Sequence, residues 1–217
     1  MNFEDLLTSA KSTVRILGKP WDKRLEVILS YCWQSPKQGA FPKIGRLSLL
    51  ENTSAYLERY IERYFQAQEQ KLYLREVKTS ADPALGVILG AFAKVENLPK
   101  ATEHHRISMA AENLLGELLE RYIAERLEPY GWVWCAGNTV RSVDFLRQDL
   151  SIALQIKNRD NSENSSSSAI RAGTNIQKWF RIYSKTGKTN WENFPFGEGL
   201  SEEDFHRYIQ NYAKSLK

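Results

Sequence analysis

Cysteines and long apolar segments are scarce in this chain of 217 residues. Its two cysteines, Cys32 and Cys135, are too few and too far apart for a zinc cluster, and their apolar neighbours predict buried thiols. No run of about 18 apolar residues is present, which argues against a transmembrane helix. Residues 1–5 have neither the basic start nor the apolar run of a secretory signal, so we expect a cytoplasmic protein with no membrane partner.

Serine-hydrolase and histidine-metal chemistry also lack their usual residues. The chain has no Gly-x-Ser-x-Gly motif, and none of its three histidines has an evident nucleophile as a partner in the sequence. His104 and His105 have no third ligand-type residue at useful spacing, so we predict that they are surface residues. A serine hydrolase is therefore the weakest interpretation of this sequence.

Positive charge is concentrated in one segment. Residues 155–190 contain seven basic and two acidic residues, a net charge of +5 in a chain whose total is +4. The rest of the chain is thus close to neutral. A basic segment of this kind is typical of a surface that binds a polyanion, although a solvated helix face would explain part of it.

The first half of the chain shows apolar residues at helical spacing between clear breakers. The pattern predicts helices over residues 3–17, 23–33, 53–68 and 83–95, the last with Asp82 as its cap. A longer helix is predicted over residues 107–127, with Glu112 at the border of its apolar stripe and Glu120 pointing away from it. Short linkers favour one α/β domain, in which a helical N-terminal subdomain, residues 1–100, packs on a core of residues 101–217.

Two apolar segments in residues 143–157 predict neighbouring strands that carry polar side chains. Asp144 lies among strand formers, and Gln155 and Lys157 share one face of the second strand because side chains alternate. A tight turn near residues 148–149 would place this strand antiparallel to the first. A carboxylate beside an ammonium suits metal-assisted phosphodiester cleavage, although such a pair also occurs as an ordinary surface pair.

An Asn- and Ser-rich run follows Lys157 directly and has two possible interpretations. Its composition, with four consecutive serines at 165–168, is that of a flexible linker. Its position between a strand and a predicted helix instead favours an ordered loop whose small polar groups approach phosphates and base edges.

The segment of residues 155–168 (Gln-Ile-Lys-Asn-Arg-Asp-Asn-Ser-Glu-Asn-Ser-Ser-Ser-Ser), with Gly173-Thr174 and Lys-Trp-Phe-Arg at 178–181, resembles type II restriction endonucleases of the SinI kind. These belong to the PD-(D/E)XK nuclease superfamily. The specific part of the resemblance covers residues 139–195. It implies a PD-(D/E)XK core, a mixed central sheet flanked by helices, beside the helical N-terminal subdomain.

The resemblance also implies a catalytic site. Asp144, Gln155, the carbonyl of Ile156 and Glu112, supplied by the preceding helix, would hold Mg²⁺, and Lys157 would position the attacking water. The sequence departs from the superfamily pattern at two positions. Val143 stands where the superfamily has proline, which is chemically neutral. Gln155 replaces a carboxylate, which removes a charge from the metal site.

The resemblance further implies hydrolysis of double-stranded DNA at a short palindromic site of GGWCC type by a homodimer, with a cognate DNA cytosine methyltransferase that protects the host. The main DNA-contacting element is expected in the loop of residues 158–174 and just after it. The expected contact residues are Asn158, Arg159, Asp160, Asn161, Ser165, Ser166, Ser167, Ser168, Arg171, Thr174 and Lys178.

The end of the chain is predicted to be helical. Ile170, Ile176, Trp179, Phe180 and Tyr183 predict a helix that buries Trp179 and leaves Lys178 and Arg181 to solvent or phosphate. A last helix is predicted from about Ser201, which caps it, to about Leu216.

Two alternative functions remain open from the sequence. The chain has the features of a repair or structure-specific nuclease of the same superfamily, which would cut without a fixed site. It is also compatible with a non-catalytic DNA-binding module, in which Gln155 marks a degenerate site.

Overall fold

The computed structural model describes residues 1–35, 39–77, 82–93, 95, 97–161, 174–196 and 199–216. The helices, in chain order, are α1 (Phe3–Ile16), α2 (Lys23–Gln34), α3 (Thr53–Glu69), α4 (Pro83–Phe92), α5 (Leu98–Leu127) and α6 (Glu202–Ser215). The strands are β1 (Trp132–Trp134), β2 (Phe145–Arg147), β3 (Ala153–Arg159) and β4 (Ile176–Ile182). The predicted mixture of helices and strands is confirmed.

The helix starts follow local capping chemistry. The side chain of Asp22 accepts the amide of Arg24 and starts α2, and the side chain of Asp82 accepts the amide of Ala84 with Pro83 in the first turn of α4. Ser201 caps α6 by accepting the amide of Asp204 at 3.1 Å, as predicted. The long helix α5 begins nine residues earlier than the predicted start at residue 107.

The four strands form one mixed sheet in the order β1-β2-β3-β4. β1, β2 and β3 are antiparallel neighbours, with Trp134 opposite Phe145 and Phe145 opposite Leu154. β4 runs parallel to β3, with Ala153 opposite Ile176. The predicted antiparallel pairing of the two central strands is therefore confirmed.

The predicted helix around residues 170–183 is wrong within the part that the structure describes. Residues 176–182 form strand β4, in which Trp179 and Arg181 alternate with Lys178 and Phe180. Pairing with β3 outweighs the weak helical spacing of the apolar residues, because a parallel strand gains a full row of backbone hydrogen bonds. Trp179 is buried as predicted, but Arg181 is only 5% exposed and does not face solvent.

The chain divides into two compact units, Met1–Gln70 with Glu120–Lys217, and Lys71–Leu119. In the first unit, α1, α2 and α3 share a continuous apolar core with Val133, Leu146 and Ala153 of the sheet. An aromatic cluster, Tyr122, Trp179, Trp191 and Phe205, joins α5, β4 and α6 in the same unit. In this unit the N-terminal helices thus complete the sheet's core.

The described part of the second unit consists of residues 71–77, which have no regular secondary structure, of α4 and of most of α5. Arg106 of α5 contacts residues 71–77 through Glu76 Oε1 at 2.5 Å and the carbonyl of Val77. None of the described helices in the chain has the length and apolar content needed to span a membrane.

Candidate active site

Asp144 is the residue immediately before β2, where the chain enters the sheet. Its amide donates to the carbonyl of Leu154 at 2.8 Å, and its carbonyl accepts the amide of Cys135 at 2.9 Å. Two residues earlier, Ser142 has a left-handed backbone with φ of +57°. The carboxylate of Asp144 then accepts the amide of Ile156 through Oδ2 at 2.7 Å. This bond fixes the acid against the strand that carries Gln155 and Lys157.

The electrostatic surroundings of Asp144 are unusual for a carboxyl group. Burial raises the pKa of Asp144 to about 6, although the amide of Ile156 and the positive charge of Lys157 both act to lower the pKa. Asp144 and Lys157 are each half-buried, so solvent still reaches them. The structure thus brings the predicted acid and the predicted lysine within electrostatic reach of each other at a partly open position.

Gln155 and Ile156 complete the central strand of this site. Gln155 is 2% exposed and Ile156 is 5% exposed, and Gln155 lies opposite Lys178 of β4. Because side chains alternate, Gln155 and Lys157 share one face of β3. Within the described part of the chain, no group of three His, Cys, Asp or Glu residues is close enough together to hold a metal ion. A metal at this site would therefore depend on amide or carbonyl oxygens as well as carboxylates.

Two acids of α5, Glu112 and Glu120, differ in exposure and in the unit to which they belong. Glu112 is exposed on α5 and belongs to the second unit, whereas Glu120 is half-buried and belongs to the first. Glu120 Oε2 accepts the indole N–H of Trp134 in β1 at 3.0 Å, so the prediction that it points away is wrong. The negative charges of Asp144 and Glu120 both act on the buried thiol of Cys135, whose pKa is raised first by burial. Glu120 thus contacts the end of β1 at Trp134, the residue before Cys135.

Sequence reasoning missed Glu120 because the apolar stripe of the helix was the only guide. The missing signal was Trp134, since a partly buried indole N–H needs an acceptor and the nearest helix offers one. Cys32 and Cys135, by contrast, are buried free thiols as predicted.

The expected DNA-contacting residues fall partly outside the described residues, namely Ser165, Ser166, Ser167, Ser168 and Arg171. Among the described ones, Arg159 is exposed at the end of β3. Asn158 Oδ1 accepts Arg181 Nε at 3.0 Å, so this amide has a structural partner. Thr174 Oγ1 accepts the amide of Ile176 at 3.3 Å, just before β4.

Asp160 and Asn161 anchor the start of the predicted DNA-contacting loop to the turn after β4. Asp160 Oδ1 accepts the amide of Ser184 at 2.9 Å, and Asn161 Oδ1 accepts the Ser184 hydroxyl at 2.6 Å. The hydrogen bonds from Ser184 lower the pKa of Asp160. Lys178 Nζ donates to the carbonyl of Asp160 at 3.1 Å. These contacts set the position from which the loop departs.

A buried ion pair supports the end of β3 from the other face. Arg181 pairs with Glu202 of α6, and Glu202 Oε2 also accepts the indole N–H of Trp191 at 2.8 Å. Burial acts to raise the pKa of Glu202, but the bonds from Trp191 and Arg181 outweigh it and leave the pKa lowered. Since Arg181 also binds Asn158, the residue after Lys157, this pair links α6 to the strand that carries the lysine.

Comparison with known proteins identifies the family. The sequence profile of the SinI restriction endonuclease matches residues 47–215. The chain belongs to the SinI restriction endonuclease family. It is 38% identical over 224 residues to the type II restriction enzyme Eco47I of Escherichia coli, covering 99% of this chain and 96% of that protein. It is 36% identical over 225 residues to the type II restriction enzyme SinI of Salmonella infantis, covering 100% of this chain and 96% of that protein.

The family membership confirms the predicted enzyme class. The chain is a type II restriction enzyme, a site-specific endonuclease that acts on DNA. The two alternatives that the sequence left open, a nuclease without a fixed site and a non-catalytic binding module, lose their support.

Proposed function

We propose that the chain hydrolyses both strands of double-stranded DNA at a short palindromic site, with Mg²⁺ as cofactor and a catalytic core of the PD-(D/E)XK type. The observation that carries this proposal is the Asp144 carboxylate, fixed by the Ile156 amide and under the influence of the Lys157 charge at a partly open position. An acid and an ammonium on adjacent strands are what this reaction requires.

The donor set of the site fits magnesium. Asp144 would supply a carboxylate, Gln155 an amide oxygen and Ile156 a backbone carbonyl. Glu120, which accepts the indole N–H of Trp134 in β1, is our candidate for the helix acid in place of Glu112. Hard oxygen donors suit Mg²⁺, which usually takes one or two carboxylates and keeps several waters. Gln155 brings no charge, so a second acid matters more here than in relatives of the superfamily with two strand carboxylates. When bound, the ion would polarise the scissile phosphate and its attacking water.

The other steps of the reaction are assigned to residues of the chain. Lys157 orients the water and stabilises the negative charge that develops on the phosphate. The Ile156 amide holds Asp144 in one orientation, so little reorganisation is needed when substrate binds. Water attacks phosphorus in line, the bond to the leaving oxygen breaks, and the leaving oxygen takes up a proton. Half-burial of Asp144 and Lys157 limits competing bulk water around them.

Recognition is assigned to the loop of residues 158–174 and to Lys178. In support, the chain leaves the sheet two residues after Lys157, where β3 ends at Arg159, and the described start of the loop is tied to Ser184. Arg159 and Arg171 can each place a guanidinium on guanine O6 and N7. By its resemblance to SinI-like enzymes, the target is of GGWCC type. A two-fold symmetric DNA site is matched by a two-fold symmetric protein, so we propose a homodimer. We also propose that the enzyme acts in the cytoplasm and that a cytosine methyltransferase protects the same site in host DNA.

The experiment is digestion of a plasmid by the wild type and by Asp144→Ala and Lys157→Ala, with Mg²⁺ or with a chelator. The wild type should give discrete fragments only with Mg²⁺, and each variant should lose about 10²–10³-fold or more in rate. Lys185→Ala is the matched control, because Lys185 is an exposed lysine in the turn after β4. Discrete fragments at wild-type rate from either site variant would refute the assignment.

The choice between the two helix acids is tested in the same assay. Glu120→Gln should lose cleavage and require more Mg²⁺, whereas Glu112→Gln should cleave like the wild type. The reverse result would restore Glu112 as the helix acid. Sequencing the fragment ends would give the recognition site and the cut position together.

A further inference from the structure

Helix α4 is apolar on every side, yet the described part of the chain leaves it exposed. Residues 83–93 contain no charged or polar side chain in a chain that is 26% charged. Leu85, Val87, Ile88 and Phe92 are 55%, 71%, 51% and 86% exposed, and α4 has no buried residue. A helix without a polar face is normally buried, because the exposure of apolar side chains to water is unfavourable. The proposed dimer, on which the following inference rests, provides a surface that would bury it.

We propose that α4 is the dimer interface and that its occupant is α4 of a second copy of this chain. The exposed side chains follow helical spacing: Leu85, Ile88 and Phe92 lie at i, i+3 and i+7 and form one stripe. Two copies of such a stripe can pack against each other about a two-fold axis, since in an isologous interface the same patch faces itself.

The charge of the patch favours a second copy over other occupants. In a two-fold interface the same patch faces itself, so charged residues in it would repel their own copies. Residues 83–93 carry no charge. DNA is a poor occupant, because phosphates are bound by cations and this helix offers none. Homodimer interfaces are also the most apolar class of protein interface, which matches this composition.

The area of the patch is of the right order. If each side chain contributes roughly 150 Å² when fully exposed, the four exposed residues of α4 present about 400 Å² of apolar surface per copy. A stable interface buries about 800 Å² per partner, so α4 alone accounts for about half of one side.

The approach of two copies is not blocked by the backbone of α4. Gly86 and Gly90 are four residues apart and therefore share one face of α4. A Cβ on Gly86 would lie 3.8 Å from Leu98 Cδ1, which places this face toward the start of α5. The stripe of Leu85, Ile88 and Phe92 lies on the opposite side of the helix at 100° per residue, so it is available to a partner.

The test compares two identical substitutions by sedimentation equilibrium of the full chain. Ile88→Lys should convert the dimer to a monomer, and Ile16→Lys, at a 78% exposed isoleucine of α1, should leave it dimeric. A wild type that is monomeric where it cleaves, or an Ile88→Lys chain that remains dimeric, would overturn the proposal. Ile88→Lys that stays at the wild-type mass but melts earlier would show that α4 packs within one chain.

A second readout separates this proposal from the active-site assignment. Asp144→Asn should remain dimeric and fail to cut, whereas monomeric Ile88→Lys should retain its folded helical content and lose double-strand cleavage at low protein concentration. Recovery of cleavage by Ile88→Lys as its concentration rises about 10²-fold is expected if dimerisation is the only step lost. A dimeric but inactive Ile88→Lys chain would contradict the interface while leaving the catalytic residues untouched.

Discussion

Gly137 lies very close to the backbone of α3, and replacing it with alanine tests how the site is supported. It lies between β1 and β2 with φ of +72°, and a Cβ there would lie 2.4 Å from the carbonyl oxygen of Arg63 in α3. The same Cβ would lie 2.7 Å from the Arg63 carbonyl carbon and 3.2 Å from the amide of Tyr64. All three atoms belong to the backbone of a helix, so no side chain can rotate away.

The cost of Gly137→Ala has two parts. A left-handed backbone costs a non-glycine residue about 1–2 kcal/mol. Overpacking against fixed backbone adds about 1–3 kcal/mol. Gly187→Ala is the matched control, because Gly187 has φ of +69° and nothing within 4 Å of the added Cβ. Gly187→Ala should therefore show only the cost of the left-handed backbone.

Thermal unfolding separates the two variants. For a chain of this size about 1 kcal/mol corresponds to about 2–4 °C, so Gly137→Ala should melt about 2–12 °C below Gly187→Ala. It should also cleave DNA more slowly, since Cys135, two residues before Gly137, holds the backbone of Asp144. Equal melting temperatures for the two variants would refute the close approach between this segment and α3.

Two further predictions concern ionised groups in the first unit. For Asp22, burial acts to raise the pKa, but hydrogen bonds from Arg24 and Tyr64 outweigh it and lower the pKa overall. Its stabilising contribution is therefore complete above the ordinary carboxyl pKa of about 4 and is lost as the pH falls from there through the lowered value. Asp22→Asn should flatten the loss of stability below about pH 4 in urea titrations, and an unchanged acid limb would contradict this. Arg181→Met should destabilise the chain by about 3 kcal/mol, at the low end for a buried pair because the Glu202 side chain is 25% exposed. Adding Glu202→Leu should recover part of that loss in denaturant unfolding, and purely additive effects would show that the pair does not interact.

Local chemistry made much of the fold predictable. The starts of α2, α4 and α6 follow from Asp22, Asp82 and Ser201, whose side chains accept an amide of the first turn in the structure. The pairing of β2 with β3 followed from two short alternating segments and a tight turn between them. These features depend on residues close in sequence, which is why a single sequence contains them.

Strand β4 could not be predicted in the same way. Ile176, Lys178 and Phe180 alternate with Gln177 and Trp179, but the same residues also satisfy a loose helical spacing. Whether residues 176–182 form a strand or a helix depends on β3, which is more than ten residues away in the sequence and pairs with them in parallel. The burial of Arg181 is likewise a tertiary fact, because its partner Glu202 is in another element. Helix α4 presents the opposite case, in which the sequence is apolar but its side chains are exposed among the residues that the structure describes.

The polar residues within the apolar strands were the most informative sequence signal for the candidate site. A sheet interior favours apolar side chains, so Gln155 at 2% exposure and Asp144 with a raised pKa are costly choices for the fold alone. Local rules are broken chiefly at functional sites, since stability is given up there for chemistry. Arg181 breaks the same rule, but its charge is matched within the chain by Glu202. Asp144 and Lys157 are instead half-buried, so a substrate phosphate could reach both of them. Arg181 is 5% exposed and has no such access. This difference in exposure is the physical reason to propose the chemistry at Asp144 rather than at Arg181.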